Sequence, residues 1–400
     1  MMKRFFYLIA LVALVALTGC DKTPKTVNLL LAIDQSGLDS GVPAPDKYHI
    51  TVTNTNTSEV LETDSQNLSA AFVVGSGIYS VLVEGASSKD GIVYTISRSD
   101  RVTVVTANGD VNTTVKVSAA EATALIFKEV YYTGVGDYYF RDQFYEIYNN
   151  SDQTVYADGL CIADVDTYDW DGTPLEYDIE NQDSYVFSQQ VWQVPGNGTQ
   201  YPVAPGESIV IAQWATNHGT EELAGSLGKD LTGAEFEAIV GESTLWNGTV
   251  ITDNPAINMR HYASAYDLPQ WLTAVGGSGL ILFFPPDGMD PTNLTYQTGS
   301  SSIYGAALAI PVTCIIDGIN TIEDAASSNM HNVPTSVDAG YIFCSGIYTN
   351  ESIVRKVSET KDGRPIYKDT NNSSADFEVN TQPKIRRNGE GVPSWNTWNK

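Results

Sequence analysis

A mainly β chain of two Ig-like β-sandwich domains, the second with partly helical insertions, is the fold class this sequence predicts. Two observations carry that expectation. Apolar and polar residues alternate across residues 27–118, as in Tyr48, Ile50 and Val52 against His49, Thr51 and Thr53, or Val111, Thr113, Val115 and Val117 against Asn112, Thr114 and Lys116. That period of two belongs to half-buried antiparallel strands. Turn signals interrupt it at Gly37, Gly41-Val42-Pro43, Gly75-Ser76-Gly77 and Asn108-Gly109-Asp110, which fits several short strands joined by tight connections.

The elements follow in order. Residues 1–19 read as a lipoprotein signal peptide: Lys3 and Arg4 are followed by an apolar run from Phe5 to Leu17 and then by Leu17-Thr18-Gly19-Cys20. Thirteen apolar residues are too few for a helix crossing a bilayer core of about 30 Å, and small residues before a cysteine suit cleavage and lipidation of Cys20. Several acyl chains, at about 0.8 kcal/mol per buried methylene, would anchor the mature chain to a membrane it does not span. Residues 20–26 form a tether, 27–118 a small sandwich and 119–124 a linker. Residues 125–400 form a larger sandwich with insertions around 165–200 and 213–275. Within the second insertion, Thr220 and Thr232 each precede acidic and apolar residues in a helix-start pattern.

Composition restricts function. The 400 residues carry 22 Lys+Arg against 48 Asp+Glu, a formal charge of −26, and loss of Lys3 and Arg4 with the leader makes it −28. Such a surface repels phosphate backbones, so no nucleic-acid partner is expected. The four histidines show no H-x-x-x-H spacing, no C-x-x-C occurs, and no G-x-S-x-G elbow is present, so transition-metal and nucleophilic catalysis lack their usual signatures. Cys161, Cys314 and Cys344 lie in apolar contexts and read as small buried hydrophobes, with one disulfide plus a leftover thiol as the alternative.

Three groups of residues remain as candidate sites. Asp164, Asp166, Asp169 and Asp171 lead an acidic run that could supply oxygens to calcium; a solvated acidic loop is the other reading. The same run is where paired carboxylates for a glycan hydrolase would have to lie. Tyr138, Tyr139 and Phe140 sit between Gly134-Val135-Gly136-Asp137 and Arg141-Asp142, a loop whose aromatics could meet a glycan or a partner protein or pack over the end of the sandwich. Trp395 and Trp398 in the polar tail allow the same two readings. Lys384, Arg386 and Arg387 form a basic cluster expected to make ordinary surface salt bridges.

Residues 27–118 resemble prealbumin-like or carboxypeptidase-regulatory-like modules in layout. Glu129-Val130-Tyr131, then 143–150 (QFYEIYNN), 155–162 (VYADGLCI), 205–212 (PGESIVIA) and 279–288 (GLILFFPPDG) resemble lamin-tail-like domains, although Gln143 stands where those have Glu and Leu160-Cys161 where they have Gly-Trp. With the lipobox, the whole chain resembles an uncharacterised lipoprotein family of Bacteroidetes-type bacteria. That resemblance implies an outer-membrane setting and an outer-membrane β-barrel transporter as partner. The function expected is a non-catalytic binding or accessory lipoprotein, displayed at the surface with its face left open. The alternatives are an envelope adhesion or scaffold protein and a carboxylate-based glycan hydrolase.

Overall fold

The computed structural model describes residues 25–399 apart from 39, 58, 90–91, 122, 166, 169–171, 241–242, 245–247, 249, 264–269, 272, 287–294, 298–305 and 329. Residues 1–19, expected to form a leader, and Cys20 lie outside the described residues, as do Asp166, Asp169 and Asp171 of the calcium expectation.

The protein is mainly β. Its first unit consists of β1 (Val27–Gly37), β2 (Tyr48–Asn54), β3 (Val60–Ser65), β4 (Ser69–Val74), β5 (Gly77–Lys89), β6 (Ile92–Val104) and β7 (Val111–Glu121). They join in one sheet of order β3-β2-β5-β6-β7-β1-β4, antiparallel except for the β1–β7 pair. The alternation read from the sequence sets its faces. Tyr48, Ile50 and Val52 are buried while His49, Thr51 and Thr53 are half-buried on the other face. All seven strands contribute to one core cluster, with Leu29, Val81, Val104 and Val115 among its members. A sheet that feeds every strand into one core must curl over it, in keeping with the small β-sandwich expected here. β7 runs to Glu121, closer to the next strand than the expected linker.

The second unit is layered. Antiparallel β8 (Leu125–Tyr131) and β9 (Phe144–Asn149) sit inside a seven-stranded sheet with the strands Ser208–Ala212, Phe236–Glu237, Ile257–Asn258, Ser352–Arg355 and Phe377–Asn380. A five-stranded sheet of Cys161–Val165, Gln190–Gln193, Arg260–Ala263, Gly279–Phe283 and Ile315–Asn320 faces it. Phe127, Tyr145, Ile147, Ile162, Trp192, Leu280 and Leu282 fill the space between them, each large side chain contributing about 1.5–3 kcal/mol by burial. Ile281 and Phe283 point the other way into a second cluster with Val186, Leu308 and Ile310. The Gly279–Phe283 strand is therefore buried on both faces, which explains its unbroken apolar run.

Both helix expectations in the 213–275 insertion are corrected. Residues 220–227 form turns closed by a short 3-10 segment, Gly225–Leu227, with Gly225 at φ 62°. Residues 232–233 form a turn, and the extended pairing follows it: Phe236–Glu237 pairs in parallel with Ile211 and Ala212. Phe236 enters the core while the Glu235 and Glu237 carboxylates accept the Val210 and Ala215 amides on the opposite face. An alternation with Ala234, Phe236 and Ala238 all buried outweighs the local helix-start pattern.

Two buried charge centres hold this unit together. In the first, Arg355 donates from Nη2 to Asp317 Oδ2 at 2.7 Å, from Nη1 to Asp369 Oδ1 at 2.9 Å and from Nε to the Phe127 carbonyl at 2.7 Å. Asp376 lies 3.5 Å from Nη1, and the guanidinium covers the Phe377 ring. One cation thus ties both sheets together. In the second, a register shift between Phe127 and Glu129 turns the adjacent Lys128 and Glu129 to the same outer face, as a bulge does. Lys128 Nζ sits 3.0 Å from Glu146, 3.3 Å from Glu390 and 3.6 Å from Glu129, with every one of these side chains inaccessible to solvent.

The C-terminal segment, residues 381–399, straps across that face. Arg387 makes a two-bond fork to Glu129 at 2.8 and 2.9 Å, and Arg386 donates to Glu235 and to the Ser208 carbonyl, both at 2.8 Å. Of the basic cluster expected at the surface, Arg386 and Arg387 are instead half-buried partners of buried carboxylates, while Lys384 is exposed and donates its backbone N–H to Glu129. Ile385 packs against Tyr131, Phe144 and Val210.

The Arg355 centre makes stability depend on pH. Burial pushes the Asp317 and Asp376 carboxyls up from 3.8 to about 7, against the pull of Arg355 and with help from Asp369. A folded-state pKa above the unfolded value gives stability that is complete below about 4 and lost as pH rises through 7. His218 acts oppositely: burial lowers it from 6.5 to about 4, so its contribution fades as pH falls below 6.5. The melting temperature is therefore expected to rise as pH drops from 8 to 6.5, and to rise less in Asp317→Asn. A melting temperature that falls over that interval contradicts the assignment.

Candidate partner-binding surface

The loop between β8 and β9 is built around its glycines. Val135 and Tyr139 exchange backbone hydrogen bonds, N to O at 2.7 Å and 3.1 Å, and Tyr138 N donates to the Gly136 carbonyl at 3.0 Å. Closing so tight a loop needs positive φ at Gly134 (69°) and Gly136 (57°). A Cβ on Gly134 would stand 2.4 Å from the Tyr139 carbonyl oxygen. Tyr138 also has positive φ, 66°, which is unusual for so large a side chain.

A second loop pairs with the first. Tyr348 N donates to the Thr133 carbonyl at 2.7 Å and Asn350 N to the Gly134 carbonyl at 3.0 Å. Glu351 fixes this loop by accepting from Ser345 N, Ser345 Oγ and Thr349 Oγ1. Tyr348 has φ 55°. Its ring meets that of Tyr138 edge-on, with centroids 5.2 Å apart. Among the described residues, the two tyrosines with positive φ are these two facing each other. Strain of that kind, of order 1–3 kcal/mol per residue, persists only where surroundings over-determine the backbone, and it gathers at functional sites.

The result is an exposed apolar cluster on a fixed base. Tyr138 is 76% exposed, Leu227 51% and Ile347 47%. Leu227 Cδ1 lies 3.9 Å from where a Gly136 Cβ would stand. Lys229 Nζ ties the loops from beneath by donating to the Leu227 carbonyl at 2.8 Å and to Asn350 Oδ1. It also lies 5.1 Å from the centre of the Tyr131 ring. Tyr131 OH donates to buried Asp142 at 3.3 Å; burial pushes that carboxyl up to about 6, with Lys229 opposing.

The expected site residues divide. Tyr138 alone of the aromatic trio is presented outward. Tyr139 turns in and donates from its hydroxyl to His218 Nδ1 at 2.6 Å, while His218 Nε2–H donates to the Trp214 carbonyl at 2.9 Å. That arrangement uses a neutral imidazole, in keeping with its lowered pKa. Phe140 is half-buried with the Arg141 guanidinium 5.6 Å from its ring centre. Trp395 and Trp398 are not exposed anchors: their indole N–H groups donate to the Pro202 and Ala234 carbonyls at 2.8 and 3.0 Å, pinning the C-terminal strap. Asp164 accepts from Trp271 Nε1 at 2.9 Å. Among the described residues, no group of three or more His, Cys, Asp or Glu is arranged to hold a metal ion. Cys161, Cys314 and Cys344 are free thiols, and burial pushes Cys314 up to about 11 and Cys344 up to about 12.

The partners of Tyr138 went unread in the sequence. Leu227, Ile347 and Tyr348 carry no local motif and lie far from residue 138 along the chain.

Comparison with known proteins places most of this surface in a defined segment. Residues 204–384 match the model of DUF4876, a protein family of unknown function. The DUF4876 match includes Leu227, Lys229, Ile347 and Tyr348 but begins after Tyr138. Among solved structures, the chain is similar to a DUF4876 family protein from Bacteroides thetaiotaomicron VPI-5482 at 29% identity and a TM-score of 0.62. The alignment covers 92% of this chain and 99% of that one. A weaker match, to a candidate adhesin from Bacteroides ovatus ATCC 8483, has 12% identity and a TM-score of 0.20 over 73% of this chain and 84% of that one. No curated protein matches.

Proposed function

We propose that this protein is a non-catalytic accessory lipoprotein of the cell envelope, anchored at Cys20 in the outer membrane, which docks a membrane partner through the Tyr138–Tyr348 surface. The observation that carries this reading is exposed Tyr138 set edge-on against half-buried Tyr348, both held at positive φ by three mutually bonded loops. Tyrosine is enriched among the residues that dominate protein interfaces. A surface ordered before binding also loses little entropy on association. The partner proposed is an outer-membrane β-barrel transporter, and the anchor would hold the surface close to it.

Tyr138→Gly separates binding from folding. Glycine accepts φ 66° without the steric cost of a side chain, so its melting temperature should equal or exceed that of the parent chain. Partner recovery after gentle detergent extraction should fall at least tenfold, as for loss of an interface residue worth about 2 kcal/mol. Unchanged recovery in a folded Tyr138→Gly protein rejects this surface.

A further inference from the structure

A sizeable cavity lies away from the Tyr138 surface, where the two units meet. It is a groove of ≈ 670 Å³, within the range of about 300–1,000 Å³ typical of ligand pockets. Contacts between the units frame it: Lys368 Nζ lies 2.9 Å from Glu84 Oε1, and Ser97 Oγ donates to the Thr370 carbonyl.

One wall is a direct product of the alternation in the first unit. With Ile50, Val52, Val81 and Val83 in the core, their neighbours Thr51, Thr53, Ser80 and Leu82 face outward into the groove, together with Ser99. The opposite wall includes Tyr341, Asn372 and Ser374 from the second unit. Its lining carries Arg101, Lys356 and Lys368 with Glu62 and Asp100, and Asp100 is held by Arg98 Nε at 3.2 Å. Lys368 is already paired with Glu84, and Lys356 Nζ donates to the Ala375 carbonyl at 2.9 Å. The groove therefore offers many hydroxyls and few unpaired charges, Arg101 and Lys356 against Glu62.

His331 stands at one end. It also lines a second cavity of ≈ 400 Å³ walled by Leu175, Tyr177, Tyr185 and Phe187. Its Nδ1 is buried and meets no hydrogen-bond partner among the described residues.

We infer that this groove binds a neutral oligosaccharide. A sugar carries closely spaced hydroxyls that both donate and accept, and serine, threonine and tyrosine hydroxyls match that dual capacity. The Leu82 and Tyr341 side chains offer apolar surface to the C–H faces of a sugar ring. A polyanionic ligand would need a cluster of unpaired cations, and the Lys368–Glu84 and Arg98–Asp100 pairs leave Arg101 and Lys356 alone against Glu62. The site is separate from the Tyr138 surface, so the failure of either assignment leaves the other standing.

The test uses the full-length chain in detergent micelles on an array of neutral and uronate-bearing oligosaccharides, followed by calorimetric titration of the best neutral one. Ser99→Trp, which fills the groove from an outward-facing position, and His331→Ala should each weaken that binding at least tenfold. Tyr138→Gly should leave it unchanged. Retention of no array member, retention of uronate-bearing members only, or equal affinity in the folded variants overturns the inference. If thermal melting shows that Ser99→Trp has not folded, His331→Ala decides alone.

Discussion

Replacing Arg355 by alanine is expected to destabilise the second unit by about 3–5 kcal/mol, the usual result of removing one partner from a buried ion cluster. The side chain is 1% exposed and stands among Asp317, Asp369 and Asp376, themselves at most 9% exposed. Without it, three carboxyls share a dry site with no cation, and the Phe127 and Lys368 carbonyls lose their donors. Thermal unfolding should shift down by roughly 6–20 °C at pH 8. The loss should shrink at pH 5, because carboxyls with raised pKa values can then take up protons. Arg355→Lys should recover only part of it, since an ammonium cannot reproduce the fork that reaches Asp317, Asp369 and two carbonyls together. A deficit no smaller at pH 5 than at pH 8 would mean that the carboxyls are not the source of the damage.

Removing the C-terminal strap by ending the chain at Asn380 should have the larger effect. Glu129 would lose the Arg387 fork, Glu235 would lose Arg386, and Lys128 would lose Glu390. The apolar cluster of Tyr131, Phe144 and Val210 would lose its Ile385 cover. Buried charges left unpaired and apolar surface left bare act in the same direction, so the second unit should lose fixed tertiary structure. The first unit has a separate core and should keep its strands. Limited proteolysis with mass spectrometry would then show rapid cutting after residue 125 and protection across 27–121. The milder Trp395→Ala should cost about 3 kcal/mol, because Trp395 packs against Tyr201 and Phe236. Native-like protection of the truncated second unit would contradict this account of the strap.

The sequence was most readable where structure is local. The period of two around Tyr48, Ile50 and Val52 assigned faces correctly, because successive side chains on a strand must point to opposite sides. The apolar 279–283 run and the loop at 134–142 were legible for similar reasons. Residues 220–239 were misread because helix-start chemistry is a weak local preference. Pairing of Phe236–Glu237 with the Ser208–Ala212 strand overrode it. Arg386 and Arg387 were misread because the carboxylates their guanidinium groups meet are Glu235 and Glu129. No spacing rule connects positions that distant.

The same limit applied to the candidate surface. Tyr138 stood out as an aromatic in a glycine-rich loop, but its neighbour Tyr348 comes from another loop entirely. Tyr139 had the same sequence context as Tyr138 and faces the other way, because His218 is placed to receive its hydroxyl. Exposure of one ring and burial of the next depended on a contact 79 residues away.

The central claim is that position 138 touches a membrane partner. The most direct measurement places a photo-crosslinking amino acid at position 138 of the full-length chain and irradiates intact native membranes. A second label goes to position 73, where Val73 is 65% exposed in the first unit. The account predicts one discrete adduct from position 138, containing an outer-membrane β-barrel protein and absent from the position 73 sample. No adduct at 138, or the same adduct from both positions, would contradict it.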